Sequence, residues 1–142
     1  MLKLTPFLLF DGDCAQAMRF YHDCFGGELR IVKVSEMPYA DQLPPEQRTR
    51  VAYAHLKSDL VEFSATDWLH PTRTPRQGNT VALYLNGSYE ALRRSFDHLS
   101  QGADPGLLDV LQELSFGIYG HLADRYGAHW FFQGDKSTSV AA

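Results

Sequence analysis

Apolar residues recur along this chain in two rhythms, a period of two and a period near 3.6, and the order of the rhythms repeats. Leu4 to Phe10 is an apolar run with Pro6 near its start, which suits a strand at a sheet edge. Asp13 with Gln16 forms a capping-box pattern, and Cys14, Ala17, Met18, Tyr21 and Phe25 follow at helical spacing until Gly26-Gly27 closes the helix. Leu29 to Val34 is rich in β-branched residues and reads as a strand. Glu36 to Arg50, with Pro38, Pro44 and Pro45, reads as a long mobile loop. Val51, Tyr53 and His55 then alternate with Ala52, Ala54 and Leu56, Ser58-Asp59 supplies a turn, and Leu60 to Thr66 returns as the second strand of a hairpin.

His70 to Gly78 holds almost nothing apolar and has the composition of a connecting segment. After it the order restarts. Thr80 to Leu85 is strand-like, Asn86-Gly87-Ser88 turns and caps, and Leu92, Ser95, Phe96 and Leu99 mark a helical face that ends near Gly102. Leu107 to Leu111, Ile118 to Ala123 and Ala128 to Gln133 are three further strands, the last two joined across Asp124-Arg125-Tyr126-Gly127. Sliding the chain by 74 residues lays Ala17 on Ala91, Met18 on Leu92 and Phe25 on Leu99. The pattern predicts an α+β fold of two βαβββ modules: module one over about 1–70, a linker over 71–78, module two over about 79–133 and a disordered polar tail over 134–142.

At 142 residues and 44% apolar composition, the chain is long enough for one domain with a sizeable core. The formal net charge is −4 and no basic run tracks phosphates, which argues against nucleic acid as a partner. Apolar stretches fall well short of the roughly 20 residues that span a bilayer, and the N-terminus lacks a signal-peptide pattern. A cytoplasmic protein with no membrane partner is expected. Cys14 and Cys24 lie ten residues apart on one predicted helix, about 15 Å at 1.5 Å per residue, and so cannot pair with each other. Both read as small core-facing hydrophobes rather than reactive thiols.

Paired βαβββ modules resemble the vicinal oxygen chelate superfamily, which includes glyoxalase I, extradiol dioxygenases, and fosfomycin and bleomycin resistance proteins. Local matches point to its PhnB-like branch. Leu4-Thr5-Pro6-Phe7-Leu8-Leu9-Phe10-Asp11-Gly12, Ala17-Met18-Arg19-Phe20-Tyr21 and Phe25-Gly26-Gly27-Glu28 resemble the opening of those proteins, and Asp124-Arg125-Tyr126-Gly127-Ala128-His129-Trp130 resembles their closing hairpin. Ala52-Tyr53-Ala54-His55 and Ser64-Ala65-Thr66-Asp67 stand where that group carries a strand histidine and a strand-end aspartate. Gln112 to Gly120 resembles the group's Gln-Glu-Thr-Phe-Trp-Gly segment but is one residue shorter, with Phe116 in place of the tryptophan. The resemblance implies a cup lined by one face of each sheet, completed by pairing of two chains, with a ligand that differs where that segment differs.

The superfamily's enzymes bind a divalent cation through His, Gln or Glu on the first and last strands of each module, because a Lewis-acid centre needs three or four converging donors. Mapped by motif, those positions fall on Pro6, on Asn79 or Thr80, and on Phe131, none of them a good ligand. Only Glu62 matches, and a lone carboxylate does not hold such an ion. A nonstandard set would draw on His55, His121 and His129 with Glu62 or Glu113.

The residues expected around a bound ligand are Tyr53, His55, Glu62, Ser64, Glu113, Tyr119, His121 and Trp130. They supply aromatic walls and a few polar anchors, with no assigned catalytic residue, metal or cofactor. His55 is the acid/base or hydrogen-bonding candidate, against a core histidine satisfied by a neighbouring strand. The leading expectation is a homodimeric, metal-free protein binding a small apolar or aromatic molecule. The alternative is a divalent-metal-dependent lyase, isomerase or dioxygenase, and a third is a purely structural or partner-binding dimer. The methyltransferase label attached to part of this group finds no glycine-rich strand-turn-helix loop here.

Overall fold

The computed structural model describes residues 1–136, so all but the first residues of the polar tail, 137–142, lie outside the described residues. The chain divides into two units, Met1–Arg76 and a second beginning at Gln77. In the first, strands β1 (Phe7–Phe10), β2 (Glu28–Lys33), β3 (Val51–Lys57) and β4 (Glu62–Asp67) form a sheet in the order β1-β4-β3-β2, with helix α1 (Cys14–Phe25) packed on one face. β1 runs parallel to β4, and the other pairs are antiparallel. In the second, β5 (Leu83–Asn86), β6 (Leu108–Leu114), β7 (Gly117–Ala123) and β8 (His129–Gly134) repeat that order as β5-β8-β7-β6, with α2 (Tyr89–Leu99). The order of elements is the expected one, while β5 begins at Leu83 rather than Thr80 and β6 runs on to Leu114 rather than ending at Leu111.

Period-two alternation sorts each strand between a helix-covered face and an open face. In unit one Ala54, Leu56, Phe63 and Ala65 are buried against Ala17, Met18, Tyr21 and Phe25 of α1, and the Tyr21 and Phe63 rings meet edge to face at 5.5 Å. Burying side chains of this size stabilises by about 1.5–3 kcal/mol each. In unit two Leu92, Phe96 and Leu99 of α2 are buried with Ile118, Leu122, Trp130 and Phe132, and the Phe96 and Phe132 rings stand 5.1 Å apart.

The helix termini show one correction. Asp13 is the N-cap of α1, but its side chain caps nothing. The amide hydrogens of Gly12 and Cys14 are donated instead to Oδ1 of Asp67, at 2.8 and 3.0 Å, while Oδ2 of the same carboxylate accepts the Val51 amide at 2.9 Å. A buried carboxylate at the end of β4 therefore ties α1 to β3. It also lies beside Cys14, whose thiol is pushed up by burial first and by Asp67 and Asp13 next. That thiol is an inert core group, and Cys24 is partly buried on the same helix. At the other end, Gly26 and Gly27 both adopt positive φ, as the sequence pattern requires.

The loop after β2, expected to be mobile, is organised. Three single 3₁₀ turns, Val34–Glu36, Ala40–Gln42 and Pro45–Gln47, follow one another, with Val34 and Ala40 buried. The Arg48 guanidinium donates to the carbonyls of Ala40 (3.1 Å) and Leu43 (3.2 Å), and Val34 and Ser35 donate back to Arg50 and Arg48. β1 begins at Phe7 rather than Leu4, since Pro6 has no amide to give. Its carbonyl still accepts the Ser64 amide at 3.0 Å. Among the described residues no helix is long and apolar enough to cross a membrane.

Candidate functional site

Register decides which side chains share the open face of the first sheet. His55 lies opposite Ser64 on β4 and Arg30 on β2, Phe7 of β1 lies opposite Ser64, and Tyr53 lies opposite Val32. Directly opposed residues point to the same side, so one row reads Phe7, Ser64, His55, Arg30 across four strands. Phe7 and Tyr53 are large aromatic side chains left substantially open to solvent, Tyr53 at 39%.

Four of the residues expected at the site meet on this face. His55 Nε2 lies 2.9 Å from Glu62 Oε2, and His55 Nδ1 lies 2.7 Å from Ser64 Oγ. Tyr53 Oη stands 3.5 Å from the same Ser64 oxygen, and its ring lies parallel to the imidazole, 10° apart with centroids at 6.1 Å. The Lys3 ammonium donates to the other oxygen of Glu62. That bond is the chief cause holding the Glu62 carboxyl below the usual range, with further lowering from the nearby Lys3 charge, the His55 bond and Lys57. An ionised Glu62 can only accept, so Nε2 donates to it, and in the neutral tautomer Nδ1 accepts the Ser64 hydroxyl. The sequence of bonds is thus directed, from Ser64 through His55 to Glu62.

The second sheet gathers its own group. Tyr119, His121 and Ala123 of β7 share a face with Phe131 and His129 of β8 and with Asp109 of β6. His121 Nε2 lies 3.1 Å from His129 Nδ1, so one of these nitrogens carries the hydrogen and the other accepts it. Phe131 covers the His121 ring at 4.5 Å, and Asp109 lies 3.9 Å from His121 Nδ1. Burial first, then His129, lowers the His121 pKa, while Asp109 opposes. The Tyr119 hydroxyl donates to Asp109 at 3.4 Å, and burial followed by that carboxylate pushes its pKa up. On the same face Tyr84 donates to Gln133 at 3.1 Å and accepts from Asn86 at 3.1 Å.

Two expected site residues do not join this group. Trp130 pairs in register with Leu122, 1% exposed in the helix-covered core, and its indole N–H is donated to Asp124 at 2.8 Å. Glu113 lies opposite Ile118, on the other face from Tyr119 and His121, because β6 has a register irregularity between Asp109 and Gln112 that shifts its alternation. Phe116, read as a replaced pocket-wall residue, sits 71% exposed in the two-residue turn between β6 and β7. Arg30, Asp109, Tyr84 and Gln133 were missed. Their signal is strand parity, legible only once the cross-strand register is known.

The chelate chemistry that the fold implies does not suit these residues. Pro6 and Phe131 offer no donor, Glu62 is committed to Lys3 and His55, and among the described residues no three His, Cys, Asp or Glu side chains converge on a point. Of the nonstandard set, unit one supplies His55 and Glu62 and unit two supplies His121 and His129, while Glu113 lies on the other face of the second sheet from those two histidines.

Two βαβββ modules with identical strand order, each with a helix on one face and a polar-aromatic open face, define a protein of the glyoxalase/bleomycin resistance-like fold class. Within that class the chain belongs to the 3-demethylubiquinone-9 3-methyltransferase family, whose model matches residues 2–133. A similar curated relative is protein YjdN of Escherichia coli strain K12, 26% identical, the match spanning 91% of this chain and 92% of that one. Among solved structures, protein PA1353 from Pseudomonas aeruginosa superposes with a TM-score of 0.81 at 23% identity, over 96% of this chain and 100% of that one. A putative 3-demethylubiquinone-9 3-methyltransferase, the PhnB protein from Bacillus cereus, gives 0.69 at 25% identity, over 94% and 99%. The same fold extends to the fosfomycin resistance protein FosX of Listeria monocytogenes, with a TM-score of 0.63 at 7% identity over 100% and 99%.

Proposed function

We propose that this protein binds a small molecule with aromatic character on the open face that carries Tyr53, His55, Ser64 and Glu62, and that it does so without a chelated metal. The observation that carries the reading is the hydrogen-bonded set itself: a partly exposed histidine, oriented at both ring nitrogens and flanked by exposed aromatic rings. Few polar anchors among aromatic walls are the composition of a ligand site. Tyr119 and His121 are proposed to act in the same way on the face of the second sheet. The reading includes a homodimer working in the cytoplasm.

A chelate enzyme is the less favoured reading, because Pro6 and Phe131 offer no donor and no donor set converges among the described residues. Methyl transfer, which the family's description names, draws no support from the start of α1, where the Gly12 and Cys14 amides are committed to the Asp67 carboxylate.

Two measurements test the proposal. Titration calorimetry of chelator-treated protein with Zn(II), Ni(II), Mn(II) and Fe(II) is expected to show no tight site, and one ion bound tightly per chain would overturn the metal-free reading. A fragment screen by NMR is expected to perturb the Tyr53 and His55 signals, with the response lost in His55→Ala while the variant keeps its fold. If His55→Ala instead loses several kcal/mol of stability, as removal of a buried hydrogen-bonded group does, His55 is a core residue and the ligand reading fails.

A further inference from the structure

We infer that the ligand of the first sheet's open face is an aromatic acid, a planar ring bearing a carboxylate, with Arg30 as its charge anchor. This rests on the reading of that face as a small-molecule site and adds the sign and class of the ligand.

A donor and acceptor inventory fixes the sign. Glu62 is occupied by the Lys3 ammonium and His55 Nε2–H, and His55 Nδ1 is occupied by Ser64. Thr66 donates its hydroxyl to backbone carbonyls of its own sheet. Each of the central acceptors therefore already has a donor. Two donors stand in contrast: Arg30 lies directly opposite His55 on the edge strand, its guanidinium with no hydrogen bond or ion pair among the described residues, and the Tyr53 hydroxyl has only the long 3.5 Å contact. A guanidinium fork matches a carboxylate in two parallel bonds, and such charge-assisted pairs are the stronger class of hydrogen bond.

Charge agrees with the inventory. Lys3, Arg30 and Lys57 stand on or beside this face with only Glu28 and Glu62 against them, on a chain whose net charge is −4. A hollow of about 610 Å³ opens beside Leu9, on the same face, and its lining of Trp68 and linker residues contains Arg73 and Arg76 but no carboxylate. The apolar complement is two exposed rings: Phe7, at the β1 end of the row that Arg30 closes on β2, and Tyr53, beside His55 along β3. A flat ring stacks on such a platform, and its carboxylate reaches the fork at the edge.

The test uses three isosteric probes of different charge, 2-naphthoate, 2-naphthamide and 2-naphthamidine, titrated into the full-length protein and located by amide shifts around Tyr53 and His55. The expected result is naphthoate binding at least about tenfold tighter than naphthamide, a gap of roughly one strong polar contact, with naphthamidine weakest. Arg30→Gln is expected to bring naphthoate down to the naphthamide level while leaving naphthamide unchanged. Naphthamide or naphthamidine binding at this face as tightly as naphthoate, or naphthoate binding unaltered in Arg30→Gln, would overturn the acid assignment and leave the small-molecule reading standing. If none of the three probes perturbs the face, both fail together.

Discussion

The Asp124 carboxylate accepts the indole N–H of Trp130 at 2.8 Å while its other oxygen accepts the Tyr126 and Ala128 amides of the turn between β7 and β8. One side chain thus shapes the hairpin and pins the largest residue of the second core, so Trp130 acts through packing. Trp130→Phe is expected to cost about 1–3 kcal/mol in urea unfolding, from the lost bond and lost volume. Ligand binding by the folded variant should be unchanged. A folded, stable variant with lost binding would return Trp130 to the ligand site.

Asp67 holds the first module in the same manner but across a longer span of chain. Asp67→Ala removes the acceptor for three amide hydrogens, those of Gly12, Cys14 and Val51. Loss of a cap combined with loss of a buried partner is expected to destabilise by about 2–4 kcal/mol. Asp67→Asn, isosteric but presenting donors to donors on one side, should recover only part of this. The urea midpoint at constant slope is the measure, and a midpoint unchanged in both variants would show that α1 is capped by other groups.

His121 gives the protein a pH signature. Burial and the neighbouring His129 keep its imidazole neutral further down the pH scale in the folded protein than in the unfolded chain, where 6.5 is the ordinary value. Between the lowered value and 6.5 the unfolded state binds the extra proton, so this contribution is complete above 6.5 and is lost as pH falls through the folded value. Asp109 opposes the shift, and Tyr119 and Phe131 add no charge at that pH. His121→Gln should flatten the stability profile on the acid side of 6.5 relative to the parent. An unchanged slope would mean that other groups carry it.

Gly26 and Gly27 close α1 with positive φ, but they differ in what surrounds them. A Cβ on Gly27 would come within 2.3 Å of the Lys57 carbonyl oxygen, whereas one on Gly26 would meet nothing within 4 Å. Gly26→Ala is expected to cost about 1–3 kcal/mol, the strain of a Cβ at φ 69° and ψ −158°, a region that favours glycine. Gly27→Ala should cost clearly more, since the backbone of β3 must also move. Equal losses in thermal unfolding would remove the steric part of this account.

Much of this architecture is legible from local pattern. Helical spacing from Cys14 to Phe25 between Asp13 and the two glycines marks α1 as it stands, and alternation places Tyr53 and His55 on one face. What escaped depends on residues distant in sequence. The capping box at Asp13 and Gln16 looks complete, yet an aspartate more than fifty residues away takes the amides. Alternation in β6 also misleads, because its register irregularity carries Glu113 away from Tyr119. The grouping of His55 with Glu62 and Ser64 was visible as a list of candidates, while Arg30 became visible only through the register of an edge strand whose own sequence carries no chemical motif.

Every strand pairing of this protein closes within its own module, β1 to β4 in one and β5 to β8 in the other, and the division between the units falls at Arg76 in a segment with no ladder to interrupt. The segment takes no part in either sheet, although its residues pack on Leu9 and Trp68 at one end and on Gly127 at the other. A chain cut or permuted at that segment would keep every strand neighbour of both sheets.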